Sequence, residues 1–309
     1  MLRFFLSRIA AAIPTLFIII ALSFFLMRLA PGGPFDTART LDPEIARNLR
    51  HIYKLDRPLP EQFFFYLQSL AHGDLGPSLH WRDFTVNELF ATALPISLTL
   101  GTKAMLVAIL ASTALGLLGA MSKSGIGPRL VDGASIFGIA VPVFVVAPLL
   151  QLGFGLALHA LPVGGWNDGA WQNQVLPVVT LALPQIAIIA RLMQAALNDT
   201  LAMPHIRTLR AFGMPAHHIY IHALRSAFPP VVSYLGLAAA NVLTGSVIVE
   251  TIFGIPGLGR YFVYGALGRD YTLVMGTVII VAAFVLLFNL IVDLVLAWLD
   301  PRLRYESRP

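Results

Sequence analysis

The sequence predicts an all-α integral membrane protein with six transmembrane helices. Three observations predict it. Of 309 residues, 57% are hydrophobic and only 12% are charged, against about 45–50% apolar and about 25% charged in an ordinary soluble domain. The charges leave long gaps rather than spreading evenly along the chain. The net charge of +5 fits lysine and arginine gathered on cytoplasmic loops better than a nucleic-acid surface. There is also no cysteine, which excludes a disulfide scaffold, a thiolate metal site and a cysteine nucleophile.

A spanning helix takes about 20 apolar residues, and a charge at its centre costs about 2.5–3.5 kcal/mol. Windows free of Asp, Glu, Lys and Arg cover 9–27, 104–122, 133–167, 169–190, 226–249 and 271–292. The third ends in a Pro/Gly/Trp stretch, so its helix is placed at about 134–157. The first is longer than a signal-peptide core, and Pro31 follows the small residue Ala30, so it reads as an uncleaved helix. With the N-terminus inside, Arg3, Arg8, Lys123, Arg129, Arg191, Arg207, Arg210, Arg225, Arg302, Arg304 and Arg308 are cytoplasmic. The short outer loops then hold only Arg260 and Arg269. This asymmetry predicts both termini in the cytoplasm. The expected organisation is a first span over 1–29, an outer helical segment over 30–93, a membrane core over 94–300 with an inner loop at 191–228, and a tail at 301–309.

In the outer segment, Asp42 before Pro43 reads as an N-cap with proline at the first helical position. Ile45, Leu49 and Ile52 then share a face. A second helix starts at Pro60, with Phe63, Leu67 and Leu70 on one face and Phe64, Phe65 and Tyr66 widening it. Such a helix fits the membrane interface or a packed cap over the spans.

In the inner loop, Arg191 ends the fourth span. Pro204 opens a short helix, and Gly213 closes it, because glycine takes the left-handed conformation on which helices often end. Pro215 opens another helix running to Phe228, and Pro229 and Pro230 start the fifth span. The short helix, 204–212, exposes Arg207, Arg210 and the turn at Phe212. Two readings fit it: docking into a groove on a partner, and an interfacial helix with no partner.

The loop IRTLRAFGMPAHHIYIHALRSAFPPVV (206–232) resembles the EAA loop of binding-protein-dependent ABC permeases, in the form of the peptide and nickel importers. RIAAAIPTLFIIIALSFFLMRLAPGGPF, LDRPLPEQFFFYLQSLAHGDLGPSL, LPVGGW, LPVVTLALP, VIVETIFGIPGLGRYFVYGALGRDY and LIVDLVLAWLDPRLR extend the resemblance, in order, over nearly the whole chain. LAPGGPF and AHGDLGPS are most similar to B-type subunits of the oligopeptide branch. The resemblance implies the ABC type I importer permease fold and a coupling helix that sits in a cleft of an ATP-hydrolysing subunit. On it, the loop glycine matches Gly213, the Arg-Thr pair of the peptide branch matches Arg207 and Thr208, and the HALR segment matches His222 to Arg225. The chain departs from the branch at Pro204 and His205, where an acidic–aromatic pair is common. It departs again at Leu209 in place of alanine and at Phe212 in place of lysine. The implied partners are a second homologous permease, one or two ABC ATPase subunits, an extracytoplasmic peptide-binding protein and membrane lipid, with no nucleic acid.

No G-x-x-x-x-G-K-[ST] run is present. The chain is therefore expected to be a transport subunit rather than an enzyme, with no cofactor of its own and with ATP and magnesium on its partners. GIPGLG (254–259) reads as an irregular re-entrant turn.

Among polar residues of the spans, Asn289 and Asp293 share a face of the sixth. Asn241, Thr244, Gly245 and Ser246 interrupt the fifth. Each group fits either close helix packing or a polar translocation path. Lys103 either snorkels or faces a cavity. Glu250 reads as structural. His218 and His222 have a spacing that can share a metal, with His205 and His217 nearby, but they lie on the coupling loop, and no metal site is expected. No H-E-x-x-H or G-x-S-x-G run supports an intramembrane hydrolase.

Overall fold

A computed structural model of the chain describes residues 2–30, 51, 54–81, 83–122 and 125–299. The helix expected from Asp42 to Ile52, Lys123 and the tail 301–309 lie outside these. Apart from a β-bridge between Pro77 and Thr85, regular structure in the described residues is helical.

Five helices are long and apolar enough to cross a membrane, or up to six if one bent pair counts as a span. Helix α1 is Leu2–Leu29 and α2 is Leu59–Ala71. Helix α3 is Val86–Met121. It begins well before the charge-free window at 104, because a gap between charges marks the apolar stretch and not the helix end. The bent pair is α4, Ile126–Ala140, and α5, Val143–Leu150, which continues as a π-helical run over Gln151–Ala157. The single helix expected at about 134–157 is thus broken, with a bend of 102°. Val141 is the cause: it precedes Pro142, is denied the helical region, and sits extended at φ −91°, ψ 115°.

Helix α6 is Trp171–Ala202, and the short α7 is Pro204–Ala211. Helix α8, Ala216–Phe253, holds Pro229 and Pro230 inside one continuous element. The expected break before the fifth span is therefore absent. Membrane helices accommodate proline where neighbouring helices, side chains or local adjustments satisfy the freed backbone groups; next to the pair, the Ser233 hydroxyl donates to the Pro229 carbonyl at 3.0 Å. Helix α9 is Leu258–Gly268, and α10 is Tyr271–Leu299.

The chain divides into two compact units. One comprises Met1–Arg8, Leu98–Ile255 and Val285–Pro309, and the other Ile9–Ser97 and Pro256–Phe284. In the first, α6 packs along both α4 and α8. Small residues allow close approach. A side chain at Gly138 would come within 2.7 Å of the Ala187 methyl, and the Ser135 hydroxyl donates to the Ala187 carbonyl at 2.9 Å.

In the second unit, Phe63, Tyr66, Leu67 and Leu70 of α2 pack on Ile20 and Phe24 of α1 and on Met275 and Ile279 of α10. The α2 face expected from sequence is therefore a packed one, while Phe64 stays 66% exposed. The same unit has a polar hub at Asp270, which is fully buried. The Ser78 hydroxyl donates to its carboxylate at 2.6 Å, the Leu79 amide at 2.9 Å and the His80 amide at 3.0 Å. The Leu273 amide and the Thr272 hydroxyl also donate to it.

Candidate functional site: a docking helix and a polar face

Helix α7 starts on Pro204 after an extended Met203 and ends on Gly213 at φ +74°. The Gly213 amide donates to the Arg210 carbonyl, and the Met214 amide donates to the Leu209 carbonyl. These two bonds form a complete Schellman ending, in which the left-handed residue is most easily a glycine.

One side chain anchors the helix. Ile206 is fully buried among Ile189, Met193 and Leu197 of α6 and Ile219 and Ala223 of α8, with Leu209 and Met214 packed against the same cluster. Fixing Ile206 inward turns the rest outward: Pro204, Arg207, Thr208 and Arg210 are exposed, and Phe212 is 82% exposed. The Thr208 hydroxyl donates within the helix to the Pro204 carbonyl. His222 and Arg225 are exposed on the first turns of α8. The structure therefore brings the loop residues together around one apolar pin. The sequence reading missed Ile206. Its signal was present in the i, i+3 pair with Leu209, each residue followed by an arginine.

The histidines do not converge on a metal. His217 and His218 pair as rings with centroids 4.2 Å apart, and His205 and His222 are exposed. Among the described residues, no three or more His, Cys, Asp or Glu could hold a metal ion.

The polar residues of the spans separate. Asn241 and Thr244 lie on an exposed stripe of α8 that also carries Ser233, Leu237, Ile248 and Thr251. Ser233 and Thr251 were missed, although they follow from Asn241 at helical spacing. Ser246 does not share this face: it is buried and donates to the Leu243 carbonyl of its own helix. Asp293 pairs with Arg8 at 3.1 Å. Asn289 lies against Gly236, where a side chain would collide with its amide oxygen. Through these two residues α10 meets α1 and α8. The Lys103 ammonium donates to the Gln174 amide oxygen at the start of α6. Glu250 is fully buried at the end of α8.

The GIPGLG turn has a left-handed Gly254 capping α8, and Leu258 starts α9. The Leu258 amide is held by the Ser97 hydroxyl at 2.9 Å. Beyond α5, Gly164 passes so close to α8 that a side chain there would come within 2.6 Å of the Phe253 carbonyl oxygen. The Gly165 amide donates to that oxygen at 2.7 Å.

Comparison with known proteins agrees with this architecture. Residues 112–305 match the family of binding-protein-dependent transport system inner membrane components. Residues 1–80 match the N-terminal family of the same transport system membrane components. The oligopeptide transport system permease protein OppB of Escherichia coli K12 is 47% identical over 306 residues, covering 99% of this chain and 100% of the relative. The dipeptide transport system permease protein DppB of Bacillus subtilis is 35% identical over 309 residues, covering both chains fully. A crystal structure of an amino acid ABC transporter with histidines matches with a TM-score of 0.52 at 20% identity, covering 70% of this chain and 94% of that one. This last likeness concerns the fold alone. Components of this kind are permeases rather than ATPases, and they work with ATPase and binding-protein partners. The chain belongs to the family of binding-protein-dependent transport system inner membrane components, as a multi-pass permease.

Proposed function

We propose that this permease is the B-type subunit of an ATP-driven oligopeptide importer and forms half of its translocation path. The observation that carries the substrate class is the 47% identity to an oligopeptide permease along 99% of the chain, against 35% to a dipeptide permease. A second homologous permease supplies the other half of the path, one or two ABC ATPase subunits supply the energy, and an extracytoplasmic binding protein delivers the peptide. Both termini are cytoplasmic, the segment 30–93 is outside, and the loop 191–228 is inside.

In this reading α7 docks in a cleft of the ATPase. Arg207, Thr208, Arg210 and Phe212 make the contact, flanked by His222 and Arg225. Ile206 passes the motion of α7 into α6 and α8, because it is buried in one cluster with residues of both. Nucleotide state biases the spans only if the ATPase binds the two conformations with different energies. Asn241 and Thr244, joined by Ser233 and Thr251, form the polar lining that a peptide backbone requires.

Reconstitution in proteoliposomes with the partner subunits tests the assignment. Labelled peptides of four or five residues are expected to accumulate only with ATP and binding protein present. Accumulation restricted to dipeptides or nickel would replace the substrate, and accumulation without the ATPase subunits would overturn the importer reading.

A further inference from the structure

The second unit contains a cavity of about 240 Å³ whose lining includes Arg28, Lys54, Gln62, Tyr66, Ser69 and Tyr271. Its chemistry is one-sided. Two cations line it, and none of its described lining residues is an acid.

Among the described residues, Arg28 is held without a carboxylate partner. Its Nε donates to the Gln62 amide oxygen at 2.8 Å, and its guanidinium carbon stands 3.7 Å over the Phe24 ring. Gln62 is itself fixed, because its amide nitrogen donates to the Leu55 and Arg57 carbonyls. Among the described residues, nothing bonds the two terminal nitrogens of Arg28. Lys54 lies with its ammonium 4.0 Å from the Phe65 ring centroid and likewise has no carboxylate partner among them. The Tyr66 hydroxyl is buried and also lacks a hydrogen-bond partner there. Burial raises its pKa, against the smaller opposing pull of Arg28, so it stays a neutral donor. Unanswered donors and two positive charges around one cavity define a receptor for an anion with several acceptor oxygens.

Depth decides which anion. Arg28 is the penultimate residue of the 25-residue apolar span Phe5–Leu29. At about 1.5 Å per residue that span exceeds a hydrocarbon core of about 30 Å. Its last turn therefore reaches the level of lipid headgroups. Phe64 projects from the neighbouring α2, and tyrosines such as Tyr66 and Tyr271 suit the same interfacial zone.

We propose that this cavity binds the phosphodiester headgroup of an anionic phospholipid, with Arg28 and Lys54 as the charged partners and Tyr66 as a neutral donor. The bound lipid fastens α2 to the end of α1. This site is separate from the docking helix and the polar face of α8, and it does not depend on the substrate assignment.

Native mass spectrometry of the full chain with its partner subunits, released from detergent, tests it. Phosphatidylglycerol is expected to be retained in preference to phosphatidylcholine. Because Lys54 is exposed, Lys54→Gln keeps the fold and should weaken retention by about fivefold, the effect of one cation near a membrane surface. Adding Arg28→Gln should abolish the preference. Tyr66→Phe, which removes a single oxygen, should also weaken it. Equal retention of both lipids by the unaltered protein, or unchanged retention in Lys54→Gln and Tyr66→Phe, overturns the site. Displacement of phosphatidylglycerol by millimolar inorganic phosphate would assign the cavity to free phosphate and overturn the lipid.

Discussion

Two excursions from the helical framework are secured in opposite ways. Helix α7 is pinned by one apolar side chain, Ile206, buried in the α6–α8 cluster. The segment 78–80 is secured by one buried carboxylate, Asp270, which takes the Ser78 hydroxyl and the Leu79 and His80 amides. The apolar pin consumes no polar group, so Arg207, Thr208, Arg210 and Phe212 remain outward and available. The polar hub consumes the hydrogen-bonding groups around it and leaves that segment fixed. An element held by an apolar pin keeps its outward side chains uncommitted, whereas one held by a polar hub does not.

The comparison breaks most visibly at Asp270. Replacing it by alanine leaves four donors without their acceptor, the Thr272 hydroxyl keeping the Pro77 carbonyl; at about 1 kcal/mol or more each, a loss on the order of 4 kcal/mol is expected. Thermal unfolding in detergent would show a large drop, with a smaller one for Asp270→Asn, which keeps one acceptor oxygen. An Asp270→Ala protein as stable as the parent would mean that the hub is not holding the segment.

Ile206→Ala should cost about 2–5 kcal/mol, as large-to-small core changes do. Here the loss is local to α7. Proteolysis of the 203–214 loop should accelerate and ATP-driven transport should fall, while the protein still inserts in the membrane.

Gly213→Ala sharpens the elbow at the other end of α7. A left-handed alanine costs about 1–2 kcal/mol, and nothing within 4 Å would touch the added methyl. Strain is then the whole effect, and unaltered transport would count against a rigid elbow. The smallest change in stability belongs to Arg207→Glu, within about 0.5 kcal/mol because the residue is exposed. Its readout is association with the ATPase subunits, which should weaken while the unfolding midpoint stays put.

What could be read from sequence follows the range of the interactions. The ends of α7 were legible because proline and glycine act on their own residue and its neighbours. The grouping of charges located the spans, but not the start of α3 at Val86, because a helix continues past an apolar window whenever its backbone bonds continue. The break at Val141 carried a local mark in Pro142, yet absence of charge on both sides disguised it as one span. The Asp270 hub had no local mark, since Ser78 lies 192 residues earlier in the chain. Ser246 is grouped with Asn241 and Thr244 on composition, while the helical period turns it inward beside Val242 and Val249.

The adjacent prolines of α8 have a mechanical consequence. Neither Pro229 nor Pro230 has an amide hydrogen, so the carbonyls of Arg225 and Ser226 lose their usual partners one turn ahead. Bending the rod therefore costs least at that joint. A force applied to the turns nearest α7 is carried stiffly as far as Phe228 and then meets a compliant coupling. The joint lies between α7 and the polar stripe that begins at Ser233.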